Sequence, residues 1–199
     1  FLWTFKYREE IYSIFDEIAG ARFTVSHSRI GGLAFDFSPA ALSMIESFCD
    51  EFEQQIADWK KLLNRNRIWI DRNEGVGTLT REDVLREGYT GPTLRASGVA
   101  HDIRLFEPYL VYDQVDFDIP MRTEGDSLAR YFVRVEEMEQ SVRIIRQCLQ
   151  KLPKGPIRVD NAKAAYASKD EVYYSMEGMI HDFMMTDTGV APPKGAECY

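Results

Sequence analysis

Between two helical patterns the chain runs for about thirty residues with no sustained period: GYTGPTLRASGVAHDIRLFEPYLVYDQVDFDIP, from Gly88 to Pro120. A structureless segment of this length is uncommon in a compact domain unless it is functional or disordered. Its aromatics, Tyr89, Phe106, Tyr109, Tyr112 and Phe117, are too hydrophobic for a solvated linker. The stretch therefore reads as a long packed central loop. Gly91, Gly98, Pro92 and Pro108 set special backbone angles in it. Arg95, Asp102 and Arg104 also fall inside it. Packed charges need partners, so these three are expected in a shared hydrogen-bond network or at an interface.

The flanking segments are helical. An apolar stripe of Phe5, Ile11, Ile14, Phe15 and Ile18 predicts a helix from Phe1 to Ala19, stopped by Gly20. Ser38-Pro39 supplies an N-cap and a proline at the first helical position. Leu42, Ile45, Phe48, Cys49, Phe52, Ile56, Trp59 and Leu63 then recur at steps of three and four, a long amphipathic helix. Its Glu46, Asp50, Glu51, Glu53 and Asp58 form a solvated face. Arg67 to Asp71 is a short helix or turn with Trp69 buried, broken by Gly75 and Gly77. Thr80 to Asp83 resembles a capping box, with Val84 and Leu85 facing the core and Gly88 at the end.

Asp126 caps a second long helix. Its predicted seam is Leu128, Tyr131, Val135, Met138, Val142, Ile145, Leu149 and Leu152. Glu139 and Arg143 are spaced as an i,i+4 pair. Pro153 and Gly155 stop this helix, and Ile157 to Ala167 reads as a polar connector. A last helix is predicted over about Asp170 to Met185, with Val172, Met176, Met179, Ile180 and Phe183 inward, ended by Gly189 and an APPKG turn. The only β signal is Arg22 to Phe37, where short alternation broken by Gly31-Gly32 suggests a hairpin or a strand and a loop. The fold class is thus mainly α with small β elements (α+β), a helical bundle core around the central loop.

Several function classes are excluded. A net charge of −8 disfavours a nucleic-acid binder. No apolar run approaches the ~18–20 residues needed to span a bilayer, so membrane association is expected through partners only. No GxxxxGK[ST] or GxGxxG occurs, which argues against nucleotide binding by this chain. Cys49, Cys148 and Cys198 form no CxxC pair, which fits a reducing compartment and assigns no metal ligand. No signal-peptide pattern is present. His101-Asp102 suggests a base and its orienting carboxylate, but adjacent residues rarely point at one substrate, and no nucleophile accompanies them. No catalytic residue is assignable. Asp102 and Arg104 read as a structural ion pair or a contact to a partner, with a functional role for Asp102 left open.

The blocks TGPTLRASGVAHDIR and PYLVYDQVDFDIP resemble the central signature of the D subunits of respiratory complex I, a family related to the large subunits of nickel-iron hydrogenases. IYSIFDEIAGARF, SRIGGL and GDSLARYFVRVEEMEQSVRIIRQCLQKLPKGPI resemble it in the same order. The likeness covers nearly the whole chain, as one partial domain over residues 1–199 that forms the middle of the family's usual chain. The opening on Phe1, which is not an initiator Met, also reads as a fragment, expected to be inactive alone and to expose apolar patches where the rest of the protein docks.

The resemblance implies a peripheral subunit on the cytoplasmic or organelle-matrix face of an energy-conserving membrane. It would help form a quinone pocket beside a terminal 4Fe-4S cluster held by a neighbouring peripheral-arm subunit. Quinone would sit at a shared site, and no cofactor would be bound by this chain alone. By resemblance, Arg22, Arg29, Gly31, Gly32, Arg95, Asp102 and Arg104 lie in that environment. The chain departs from the family at Thr24, directly after the GARF motif. Many members carry a histidine there, associated with proton coupling, whereas Thr24 does not titrate near neutral pH. His27, three residues on, reads as a partly exposed, hydrogen-bonded side chain. Two alternatives stay open: a large-subunit relative in a membrane-bound hydrogenase-type assembly, and a non-catalytic helical interaction module, which the missing histidine favours.

Overall fold

The computed structural model describes residues 2–161, 164–191 and 193–196. Phe1, Cys198 and the first proline of the APPKG turn, Pro192, lie outside them. The chain divides into two compact units, Phe1–Leu42 with Pro153–Tyr199, and Ser43–Leu152.

In the first unit, α1 covers Leu2–Ala19, and Gly20 closes it at φ +68° with its N–H on the Asp16 carbonyl at 2.8 Å. Only Tyr7 and Ile14 are buried along it, so Phe5 and Phe15 of the expected stripe face outward. The hairpin is present: β1 (Ser28–Arg29) pairs antiparallel with β2 (Gly32–Leu33), Ser28 opposite Leu33 and Arg29 opposite Gly32. The connector from Ile157 is more than polar chain, since Arg158 bridges Gly32, and Leu33 N–H donates to the Ile157 carbonyl at 2.9 Å. The single late helix is two. α8 covers Lys169–Tyr174 and α9 covers Met176–Asp187. Ser168 and Glu171 form a capping box that starts α8, and Ser175 breaks the run by capping α9 through the Gly178 N–H. Gly178 and Met185 are the buried residues of α9, not Met176, Ile180 and Phe183.

In the second unit lies most of α2 (Pro39–Leu63). Ser38 Oγ accepts from the Ala41 N–H at 3.0 Å, and Cys49, Ile56 and Trp59 face inward. Burial pushes the Cys49 thiol up from its ordinary value. α3 (Arg67–Asn73) buries no residue fully; Trp69 is half-buried, edge-on to Tyr131 at 5.4 Å. α4 (Arg81–Arg86) starts on the expected capping box, with Val84 buried but Leu85 56% exposed.

The long central loop is partly helical. α5 covers Gly91–Ala96, α6 covers Ile103–Phe106, and a 3-10 turn covers Tyr112–Gln114. Phe117 is buried, whereas Tyr89, Phe106 and Tyr109 are exposed. Leu110 takes φ +52°, uncommon for a residue with a Cβ, and is 85% exposed.

α7 (Ser127–Gln150) is the axis of this unit, with α5 and α3 packed on it. Ala96, Ala129 and Val133 form the core cluster. The buried positions of α7 are Ala129, Val133, Val135 and Val142, so the expected seam is right only at Val135 and Val142. A helix with two neighbours buries more than one stripe. The Glu139–Arg143 pair is also replaced: Lys60 of α2 bonds Glu139 at 2.6 Å, and Arg143 reaches Asp116 and, at 2.9 Å, Asp118.

Candidate functional site

The central motif residues meet in one network. Ending α5, Arg95 is only 7% exposed, and α7 holds Glu137 beneath it. Arg95 Nε and Nη2 both donate to Glu137 Oε1, the former at 2.9 Å. Its Nη1 donates to the His101 carbonyl at 3.0 Å and lies 3.8 Å from Asp102 Oδ2. Asp102 caps α6. It accepts from the Arg104 backbone N–H at 3.0 Å and from Arg104 Nε and Nη2 at 2.9 and 2.6 Å. The Arg104 guanidinium rests over the Phe117 ring at 4.7 Å, a cation–π placement.

Two guanidiniums thus face two carboxylates in a partly dry site. The bonds from Arg104 hold the Asp102 carboxyl below the usual carboxylate range, and the same pair raises the Arg104 guanidinium further. Every nitrogen of Arg95's guanidinium is engaged. The network braces the chain between α5 and α6 against α7, with both carboxylates engaged by guanidiniums. His101 is not aligned with Asp102 as a catalytic pair, since its ring stacks on Phe106 at 5.1 Å. Burial and a hydrogen bond with Tyr109 raise the Tyr112 phenol beside this cluster.

Arg95, Asp102 and Arg104 are therefore brought together as the sequence suggested. Glu137 was missed, and a signal existed: it lies four residues after the buried Val133, on the same face of α7.

The other site residues belong to the first unit, Arg22 packed on α1 and Arg29, Gly31 and Gly32 in the hairpin. Arg22 is exposed, paired with Glu9 of α1, which raises its guanidinium, and set over the Tyr12 ring at 5.8 Å. Arg29 Nε donates to the Ser26 carbonyl at 3.3 Å. A Cβ on Gly31 would lie 2.8 Å from the Ala164 carbonyl oxygen, and one on Gly32 2.2 Å from that of Ile157. Close backbone approach thus accounts for both glycines. Arg158, not anticipated, locks this corner by donating to the Leu33 and Ala34 carbonyls at 3.0 and 2.6 Å. A small cavity of about 30 Å³ lies between Arg29, Gly32, Leu33, Arg158 and Tyr166, large enough for ordered water. His27 differs from expectation: both ring nitrogens are shielded without a hydrogen-bond partner, and the ring packs 5.9 Å from Phe37. Thr24 is exposed.

A family profile described as the 49 kDa subunit of respiratory-chain NADH dehydrogenase matches residues 1–199. The chain belongs to that family. The resemblance in the central blocks is thereby borne out. The chain is 67% identical over 199 residues to the NADH-quinone oxidoreductase D subunit of Salinibacter ruber, covering all of this chain and 44% of that protein. It is 55% identical over 195 residues to the first of the D subunits of Chloroherpeton thalassium, covering 98% of this chain and 44% of the relative. A protein of Aquifex aeolicus whose name joins the C and D subunits is 45% identical over 196 residues, 98% of this chain and 31% of the relative. The chain thus spans less than half the length of these relatives. Among the described residues no helix is long and apolar enough to cross a membrane.

Proposed function

We propose that this chain is the middle part of a peripheral-arm subunit of an NADH:quinone oxidoreductase, one that helps form the quinone pocket beside the terminal 4Fe-4S cluster. Electrons would pass from NADH to quinone, coupled to ion translocation. The nicotinamide and the cluster would be held by other subunits of the arm. The observation that carries the reading is the 67% identity, over all 199 residues, to a protein named as the D subunit of NADH-quinone oxidoreductase.

The chemistry of the chain supports a scaffold role. Arg95, Asp102, Arg104 and Glu137 satisfy one another, so this motif would position a wall rather than turn over substrate. Beside it, Ile103, Leu105, Phe106 and Leu110 are exposed and apolar, suited to a quinone ring or tail with few polar anchors. The described thiols do not suit a cluster: Cys49 is buried in α2, and Cys148 lies on α7. The joined name of the Aquifex aeolicus relative points to a C-type subunit among the partners. Membrane association would run through partners, on the cytoplasmic or matrix face.

The test is purification of the whole protein from its native membranes, with NADH-driven quinone reduction and hydrogen evolution assayed in parallel. Quinone reduction with co-purifying iron–sulfur subunits is expected. Hydrogen evolution would move the protein to a hydrogenase-type assembly. Neither activity, and no cluster-bearing partner, would leave an interaction module. In an active complex, Thr24→His tests proton coupling through the pH dependence of the cluster potential.

A further inference from the structure

Helix α9 points its most apolar side away from its own neighbour. Gly178 and Met185, seven residues apart, form the buried side; a Cβ on Gly178 would lie 2.4 Å from the Glu171 carbonyl of α8. Met176, Ile180, Phe183 and Met184 follow at i, i+4, i+7 and i+8 and make a stripe on the opposite side. All four are more than half exposed, Phe183 at 68%, and Tyr173 and Tyr174 of α8 add to the open apolar surface. An amphipathic helix turns such a stripe toward a core. Single exposed apolar residues are ordinary, whereas a contiguous set marks a covered surface.

The charges around the stripe narrow what covers it. On α9, Glu177 lies beside the stripe and Asp187 in line with it, and the helix carries no lysine or arginine; on α8, Asp170 and Glu171 outnumber the single Lys169. A second copy brought to this face would set acid against acid. An anionic lipid surface would be repelled in the same way. The fitting occupant is apolar with a lysine- or arginine-bearing rim. The Salinibacter ruber relative aligns with all of this chain, yet more than half of its own length lies outside the match. We infer that the Met176–Met184 stripe is the seat of a segment of the protein's own polypeptide lying outside residues 1–199, apolar and basic at its edges. The inference rests on family membership and not on the quinone reading.

The test is photo-crosslinking in the full-length protein within its native assembly, with Phe183→p-benzoylphenylalanine and, separately, Ile180→p-benzoylphenylalanine. The second position keeps the test open if the first variant fails to assemble. The expected product has the mass of the single subunit, and its cross-link maps to residues outside 1–199. A cross-link to a second copy, to another subunit, to lipid or to residues 43–152 would overturn the inference. So would no cross-link from either position, or a full-length protein without residues beyond these.

Discussion

Asp102 accepts two hydrogen bonds from the guanidinium of Arg104, its neighbour but one, at 2.9 and 2.6 Å. The spacing is too short for a helical i,i+4 pair, so the geometry exists only because Asp102 is the extended cap of α6. Asp102 is nearly fully buried and Arg95 approaches its other side, so its charge is the hinge of the network. Removing one partner of a buried ion pair leaves the rest uncompensated. Asp102→Asn is therefore expected to destabilise the purified protein by about 3 kcal/mol. Arg104→Met should cost ~1 kcal/mol less, because Asp102 keeps its backbone donor and Arg95. Urea unfolding of both variants checks the order.

The depressed Asp102 carboxyl makes a pH prediction with a definite sign. In the unfolded chain Asp102 titrates near the ordinary value of about 3.9. In the fold, the Arg104 bonds hold it lower. The unfolded state thus binds more protons between the two values, and stability rises with pH there. The contribution is complete above the unfolded value and is lost as pH falls through the folded one. The urea midpoint of the wild type should drop below about pH 4, and Asp102→Asn should show a shallower drop. Equal slopes in the two proteins would remove Asp102 as a source.

Asp126 does two jobs at the start of α7. Its Oδ1 accepts from the Ala129 N–H at 2.7 Å, and its Oδ2 from the Gly75 N–H at 2.8 Å, which ties the loop after α3 to the helix. Asp126→Ala leaves both donors open in a buried setting and should cost about 2 kcal/mol, the upper end for a cap. Asp126→Asn keeps an acceptor oxygen for one of them and should cost roughly half as much. Thermal unfolding of the two variants gives the comparison.

The legible parts of the fold were those set by local chemistry. Thr80 and Asp83 form the capping box, Ser38 and Asp126 cap α2 and α7, and Gly31-Gly32 makes a hairpin. The need of packed charges for partners grouped Arg95, Asp102 and Arg104. The failures came where tertiary neighbours choose among apolar positions. α7 is packed from two sides, so its inward set includes Ala129 and Val133, and Glu137, off the predicted seam, meets the buried Arg95. Ser175 reads equally as a helical residue or a cap, and only the fold selects the cap. Met176, Ile180 and Phe183 were expected inward because their spacing is that of a core stripe.

The glycine pair of the hairpin resembles a cofactor-approach motif, and its geometry assigns it a packing role. Gly32 sits at φ +142°, its Cβ position 2.2 Å from the Ile157 carbonyl oxygen, and that oxygen receives the Leu33 N–H. A methyl group there must push the incoming chain away, which breaks the bond and the Arg158 bridge with it. Gly32→Ala is expected to cost about 2–3 kcal/mol, high among ordinary substitutions. Gly20→Ala is the control: φ is also positive, at +68°, but nothing lies within 4 Å, so only ~1 kcal/mol of backbone strain should appear. Hydrogen exchange separates the two causes. In Gly32→Ala the amides of Leu33 and Val159, which bond Ile157 and Gly31, should exchange faster than in wild type, while Gly20→Ala should leave them unchanged. A stable Gly32→Ala protein with protected amides would return the glycine to a ligand-facing role.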